Sequence, residues 1–218
     1  MPSERFLKLS EEKQKRIMQA AMDEFARVPF ENVSINKIIQ EADISRGSFY
    51  TYFEDKRDLL AYIFRCNWKM MFSSLRDCLL QEKGDIWKAM DSWFAMVLSH
   101  RNEAVIQQNI RILTNAGCGH ESELFKGEGF SKERMEQHLH SEEEFRWMLA
   151  HIDPETMNLN RSFEDLKTLF QMLIGLTMMA LMGSLVHDEE DVEKIQKKYR
   201  TILDYFRYGA CSKERRAE

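Results

Sequence analysis

The sequence predicts an all-α fold in two parts. Residues 1–55 read as a three-helix N-terminal helix-turn-helix domain and residues 56–218 as a larger helical domain. Three observations carry this. Only three prolines and nine glycines occur in 218 residues, which leaves few breakers and favours long helices. Apolar residues recur at three- and four-residue spacing, and no alternating strand pattern appears. Near the N-terminus two short helical segments flank a tight turn, the helix-turn-helix arrangement.

Each element has its own signal. Ser10 precedes Glu11 and Glu12, acidic residues that suit a helix N-terminus, and Ile17, Ala21, Phe25 and Val28 form one apolar face. Pro29 ends that helix. Ser34 is an N-cap for INKIIQEA, with Ile35, Ile38 and Ile39 facing inward. Asp43 tolerates the left-handed conformation a turn needs. Ser45 caps a third short helix, Arg46 to Phe53, and a fourth runs from after Asp55 to about Gln81. Beyond the break at Lys83–Asp85 come helices near Ile86–His100 and Glu103–Ala116. A polar stretch follows, with candidate helices Lys132–Leu139 and Glu142–His151. Two strong helices, about Ser162–His187 and Glu190–Tyr208, close the pattern.

Composition narrows the function. The net charge of −5 argues against a chain that is basic throughout, yet residues 1–65 hold eleven basic and eleven acidic side chains and are neutral as a group. Cys66, Cys78, Cys118 and Cys211 form no C-x-x-C pair, so reduced thiols in a cytoplasm are expected. The first sixteen residues hold no apolar run of the kind a secretory signal needs. Leu169 to Val186 is 18 residues without a charge, at the lower limit for a membrane span. It contains Gln171, Thr177, Ser184 and two glycines, and a helix buried on both faces explains it better. Cys118, His120, His138, His140 and His151 match no zinc spacing, so no metal is expected. No phosphate-binding loop or nucleophile with its base stands out, so neither an enzyme nor a cofactor is expected.

The segment RIMQAAMDEFARVPFENVSINKIIQEADISRGSFYTYFEDKRDLL resembles the tetracycline-repressor (TetR) family of bacterial regulators. The matching positions are Phe25, Ser34, Ser45 to Gly47, Tyr50, Phe53, Lys56 and Leu59. Pro29, Ile39 and Asp43 depart from the family pattern, which has glycine, alanine and glycine there.

In a helix-turn-helix the second short helix enters the major groove with its N-terminal residues at base edges. Those residues are Ser45, Arg46, Gly47 and Ser48. Arg46 is the best base reader, because its fork can bond guanine O6 and N7. Gly47 lets the backbone approach, and Thr51 can reach a base or a phosphate. The resemblance places Tyr50, Tyr52 and Lys56 against phosphates, and the Ser34 hydroxyl can add a phosphate contact to its capping role. Phe49 and Phe53 are read as core, and half-buried packing is the plain alternative for both tyrosines.

For the larger domain the resemblance implies dimerisation and a small-molecule pocket. Leu173, Ala180, Gly183, Ile195, Tyr199, Ile202 and Phe206 are the candidate dimer contacts. Trp68, Met71, Leu75, Trp87, Trp93, Phe94, Ile110, Leu113, Phe170 and Ile174 are the candidate pocket lining, with an ordinary hydrophobic core as the alternative. The expectation is a cytoplasmic, homodimeric repressor of a palindromic double-stranded DNA operator, released by a small apolar or amphiphilic effector and with no membrane partner. A constitutive DNA-binding protein without a ligand is the first rival. The second is a helical enzyme or membrane-associated protein that uses the motif only for packing.

Overall fold

Serine caps set the start of one helix after another in the N-terminal unit. The computed structural model describes residues 2–116, 142–157, 162–186 and 191–209, with side-chain surroundings beyond Gly183 in the third stretch excluded. Ser3 opens α1 (Glu4–Leu7), Ser10 opens α2 (Glu11–Arg27), Ser34 opens α3 (Ile35–Glu41) and Ser45 opens α4 (Arg46–Tyr52). Each hydroxyl accepts a backbone N–H three residues on, which satisfies a donor the helix itself leaves open. Val28 is extended before Pro29, as the proline ring requires, and a 3-10 turn at Phe30–Asn32 leads into α3. Asp43 adopts φ 51° between α3 and α4, the left-handed turn expected of it.

The chain forms two compact units. The first takes in residues 2–71 and 102–116, and so holds α1 to α4, the first part of α5 (Lys56–Gln81) and all of α7 (Ala104–Asn115). Its core gathers Ile17, Phe25, Ile38, Phe49, Phe53 and Leu59, each 2 % exposed or less. Burying one such side chain stabilises the fold by roughly 1.5–3 kcal/mol. Phe6 from α1 is fully buried and meets the Tyr52, Phe53 and Tyr62 rings. Ile112 and Ala116 of α7 complete the same core. Polar contacts hold α7 in place: Gln108 donates to Asp23 at 2.6 Å, Asn115 to the Phe25 carbonyl at 2.9 Å, and Asn67 to Asn109 at 3.0 Å.

The second unit contains the rest of α5, α6 (Ile86–Ser99), α8 (Glu142–His151), α9 (Phe163–Val186) and α10 (Val192–Tyr208). Phe94 of α6 stacks on Tyr199 of α10 with centroids 3.9 Å apart. Phe145 of α8 meets Phe72 and Phe170 edge-on. Arg200 of α10 pairs with Asp91 of α6 through both carboxylate oxygens, at 3.0 and 2.9 Å. Gly84, at φ 87°, follows α5, and its carbonyl accepts the Asp153 N–H at 2.9 Å. The helix expected at Lys132–Leu139 lies outside the described residues.

α9 buries one side, through Leu166, Phe170, Leu173, Ile174, Thr177 and Leu181. Its other side exposes Met172 and Met179. The stretch Phe163–Gly183 is long and apolar enough to cross a membrane, and about a third of it is buried inside the protein. Burial raises the pKa of the Cys66 and Cys78 thiols, which keeps both out of the reactive thiolate form.

Candidate nucleic-acid interface

The first residues of α4 face outward. Ser45, Arg46 and Gly47 are exposed, while Phe49 on the same helix is fully buried and anchors it. The Ser45 hydroxyl caps the helix and lies 2.9 Å from the Ser48 hydroxyl. A Cβ added at Gly47 would meet only Ser45 Oγ, at 3.9 Å. Packing within the protomer therefore does not demand glycine there, although glycine in a helix costs roughly 0.5–1 kcal/mol.

Arg46 is held from both sides. Its Nη1 donates to Asn36 Oδ1 at 2.7 Å, and its Nη2 donates to the Tyr50 hydroxyl at 3.3 Å. The guanidinium carbon also lies 5.6 Å from the Tyr50 ring centroid. The guanidinium is thus fixed on an exposed surface. Tyr50 is 47 % exposed. Thr51 is half-buried, and its hydroxyl donates back to the Gly47 carbonyl at 2.9 Å.

Two residues expected at phosphates have partners inside the chain. Tyr52 is buried, its ring against Phe6. The Lys56 ammonium donates to the carbonyls of Phe30, Glu31 and Val33 at 2.9, 2.9 and 3.4 Å, and lies 4.8 Å from the Phe30 ring centroid. An ammonium has three protons, and all three are used inside the protein. Lys56 holds the 3-10 turn and the entry to α3 against the start of α5. Ser34 is half-buried, with its hydroxyl on Lys37 N–H.

Two residues of this site were not singled out in the sequence. Asn36, in the first turn of α3, carries no signal until the turn folds α3 back beside Arg46. Glu24 is 2 % exposed on α2. It binds Arg27 through Oε2 and accepts the Ser34 N–H at 3.0 Å through Oε1, so it locks α2 to the start of α3. An acidic residue on a mostly apolar helix face was the available clue.

The candidate pocket residues divide between the two units. Trp68 and Leu113 pack on the first core, Ile110 is buried in the same unit, and Met71 is half-buried there. Leu75, Trp93, Phe94, Phe170 and Ile174 are buried in the second, and the Trp93 indole N–H donates to Ser74 at 2.9 Å. Trp87 lines a groove of about 490 Å³ with Met157, Leu166, Leu169, Phe206 and Arg207. Of the candidate dimer contacts, Leu173, Ile195 and Tyr199 are buried inside the protomer. Ala180 and Phe206 are half-buried, and Gly183 and Ile202 are exposed. Ile195, Tyr199 and Leu203 form the buried stripe of α10, and Tyr199 in it stacks on Phe94 of α6. Among the described residues no group of three or more metal-ligating side chains occurs, and Cys118, His120, His138 and His140 lie outside them. His151 stacks on Trp147 at 3.8 Å.

An exposed, pre-positioned second helix on a short turn defines a helix-turn-helix DNA-binding module. Residues 17–63 match the bacterial regulatory proteins of the tetR family, and residues 85–210 match the tetracyclin repressor-like C-terminal domain. The second match alone spans more than half of the chain, and the chain belongs to the TetR family of transcriptional regulators. It is 32 % identical over 74 residues to the HTH-type transcriptional regulator YuxN of Bacillus subtilis, a stretch covering 34 % of this chain and 25 % of YuxN. Among solved structures it resembles the fatty acid degradation regulator FadR of Bacillus halodurans, with TM-score 0.55 and 16 % identity over 90 % of this chain and 96 % of that one. It also resembles a TetR family regulator from Marinobacter aquaeolei VT8, with TM-score 0.55 and 19 % identity over 88 % and 94 %. A third is Bacillus subtilis FadR, solved in complex with stearoyl-CoA, with TM-score 0.51 and 16 % identity over 90 % and 99 %.

Proposed function

We propose that this chain is a cytoplasmic repressor that binds a palindromic double-stranded DNA operator as a homodimer and is released by a small apolar or amphiphilic molecule. The observation that carries the DNA contact is the outward-facing Ser45–Gly47 turn of α4, with Arg46 already clamped. Arg46 supplies base readout, the Ser45 and Ser48 hydroxyls and Thr51 add base or phosphate contacts, and Tyr50 approaches the backbone.

The dimer reading is supported by α9 and α10. Met172 and Met179 on α9, and Ile202 and Tyr205 on α10, are 59, 76, 37 and 60 % exposed. A Cβ at Gly175 or Gly183 would meet nothing within 4 Å, so neither glycine serves the protomer. A second copy laid on this face explains both the exposed methionines and the glycines, and supplies the two-fold symmetry a palindrome needs.

The effector reading is supported by the groove beside Trp87. Its size suits a small molecule, its lining mixes apolar Trp87, Met157, Leu166, Leu169 and Phe206 with Thr156, Asp165 and Arg207, and such a mixed wall fits an amphiphile with a polar head group. Bacillus subtilis FadR, solved with stearoyl-CoA, is a neighbour of the same fold. The filled interior of the second unit around Trp93, Phe94 and Phe170 favours the rival reading, a DNA-binding protein that needs no effector.

The test is titration of an inverted-repeat duplex pool at several salt concentrations, with and without amphiphiles. Linkage requires that a releasing ligand be weakened by operator DNA by the same factor, typically about 5–150-fold. A protein that binds no duplex at low salt overturns the proposal. Ligand affinity that operator DNA leaves unchanged selects the rival.

A further inference from the structure

We propose that Asn36 reads a base beside Arg46, and that the two side chains form one donor-only reading head. This rests on the DNA-binding reading above. The head selects guanine at one base pair, and guanine or thymine at the next.

The argument starts from chemistry. A guanidinium carries five N–H donors and no acceptor. The 2.7 Å contact between Arg46 Nη1 and Asn36 therefore fixes the amide orientation, with Oδ1 toward Arg46 and Nδ2 away from it. Both side chains are exposed, and they come from different helices, α3 and α4. Tyr50 holds the other arm of the guanidinium, so the pair is braced.

An unengaged asparagine selects adenine, by accepting from N6 and donating to N7. Asn36 has its acceptor turned toward Arg46. The edge it turns away from Arg46 is the Nδ2 amine with its two protons. In the major groove guanine presents two acceptors and thymine presents O4, whereas cytosine presents only its N4 amine. The Asn36 position therefore favours guanine, accepts thymine through O4, disfavours adenine because its N6 amine lies beside N7, and rejects cytosine. Asn36 and Arg46 are in direct contact, and successive bases on one strand rise by about 3.4 Å, so the two groups meet neighbouring base pairs.

The pairing also predicts what happens when one member is removed. Without Arg46, the Asn36 carbonyl is released and its preference turns toward adenine. An aspartate at 36 can still accept from Arg46, but it has no proton to give. It turns the neighbouring preference toward cytosine, whose amine it accepts, and leaves the guanine read by Arg46 in place.

The experiment selects bound duplexes from a pool of randomised inverted repeats, using the full-length protein and its Arg46→Ala and Asn36→Asp variants. Thermal melting confirms that each variant is folded, as substitutions at exposed positions should be. The wild type should enrich guanine followed by guanine or thymine, by about tenfold or more over the disfavoured base. Arg46→Ala should lose the guanine and shift the neighbour to adenine. Asn36→Asp should keep the guanine and shift the neighbour to cytosine. A wild type that enriches a sequence whose neighbouring position is unmoved in both variants overturns the inference and leaves DNA binding standing. A wild type that enriches no duplex at low salt overturns the DNA-binding reading itself, and the inference with it.

Discussion

The ammonium of Lys56 lies 2.9 Å from the carbonyl oxygen of Phe30 and 4.8 Å from the centre of its ring. One side chain thus neutralises the carbonyl end of the 3-10 turn and covers an aromatic face. Lys56→Ala should lower stability by about 1.5–3 kcal/mol, the range for hydrogen bonds to a charged group. DNA affinity should fall equally for all sequences, while the slope of affinity against salt stays at the wild-type value. Denaturant titration beside salt titration checks both. A slope reduced by about one with stability unchanged would instead assign Lys56 to a phosphate.

Glu24 couples two helices through one buried carboxylate. Glu24→Ala leaves the Ser34 N–H and the Arg27 guanidinium without that acceptor and should cost about 1–3 kcal/mol. Glu24→Gln keeps an acceptor for Ser34 and should cost less. Urea unfolding of both variants measures the difference, and equal losses would deny the Ser34 bond its role.

Gly84→Ala should destabilise the second unit. The residue has φ 87°, and a Cβ there would lie 2.7 Å from the His151 carbonyl oxygen and 2.8 Å from the Asp153 nitrogen. Backbone on both sides leaves little room to yield, so a loss of about 1–3 kcal/mol is expected. The melting temperature reports it, and an unchanged value would mean the turn reshapes freely.

Tyr199 gives the second unit an alkaline limit. Burial raises its phenol pKa well above the ordinary value, with the Thr177 hydrogen bond lowering it and Asp91 adding to the rise. Thr177 already donates to the Leu173 carbonyl at 2.8 Å, so Tyr199 is the donor in the 2.7 Å contact between their hydroxyls. An unfolded tyrosine ionises near pH 10, while the folded one keeps its proton. The stabilisation is fully present below about pH 10 and is lost as pH rises through the folded value. Melting temperatures from pH 8 to 11 should fall at the alkaline end, and Tyr199→Phe should flatten that fall.

Met179→Glu should convert a dimer into a folded monomer. The side chain is 76 % exposed in the protomer, so a charge costs little there and much in an apolar interface. Light scattering of wild type and variant decides it. A one-subunit mass for the wild type removes the dimer.

Helix positions were largely legible because serine caps, Pro29 and Gly84 punctuate a chain whose apolar spacing is regular. α1 escaped, since one turn holding only Phe6 has no periodicity to read. The exposure of the candidate DNA-facing residues divided by the same logic. Ser45, Arg46 and Gly47 follow from being first in their helix. Tyr52 and Lys56 could not be placed by spacing, because a residue at the edge of a helix face can turn inward or outward, and only Phe6 and the Phe30 carbonyl, from elsewhere in the chain, show which. Face assignment in α9 and α10 was harder still. α9 is apolar on two sides, and sequence does not say which side its own subunit takes first.

The presence of Ile112 and Ala116 in the first core has a meaning for synthesis. The last α5 residue buried in that core is Phe64, and Ala116 is made about 50 residues later. At about 5–20 residues per second, roughly 3–10 s of translation separate them. A nascent chain that has already released all of α1 to α4 still lacks two residues of the core those helices share. Completion of the first core is therefore timed by the ribosome's progress through α7.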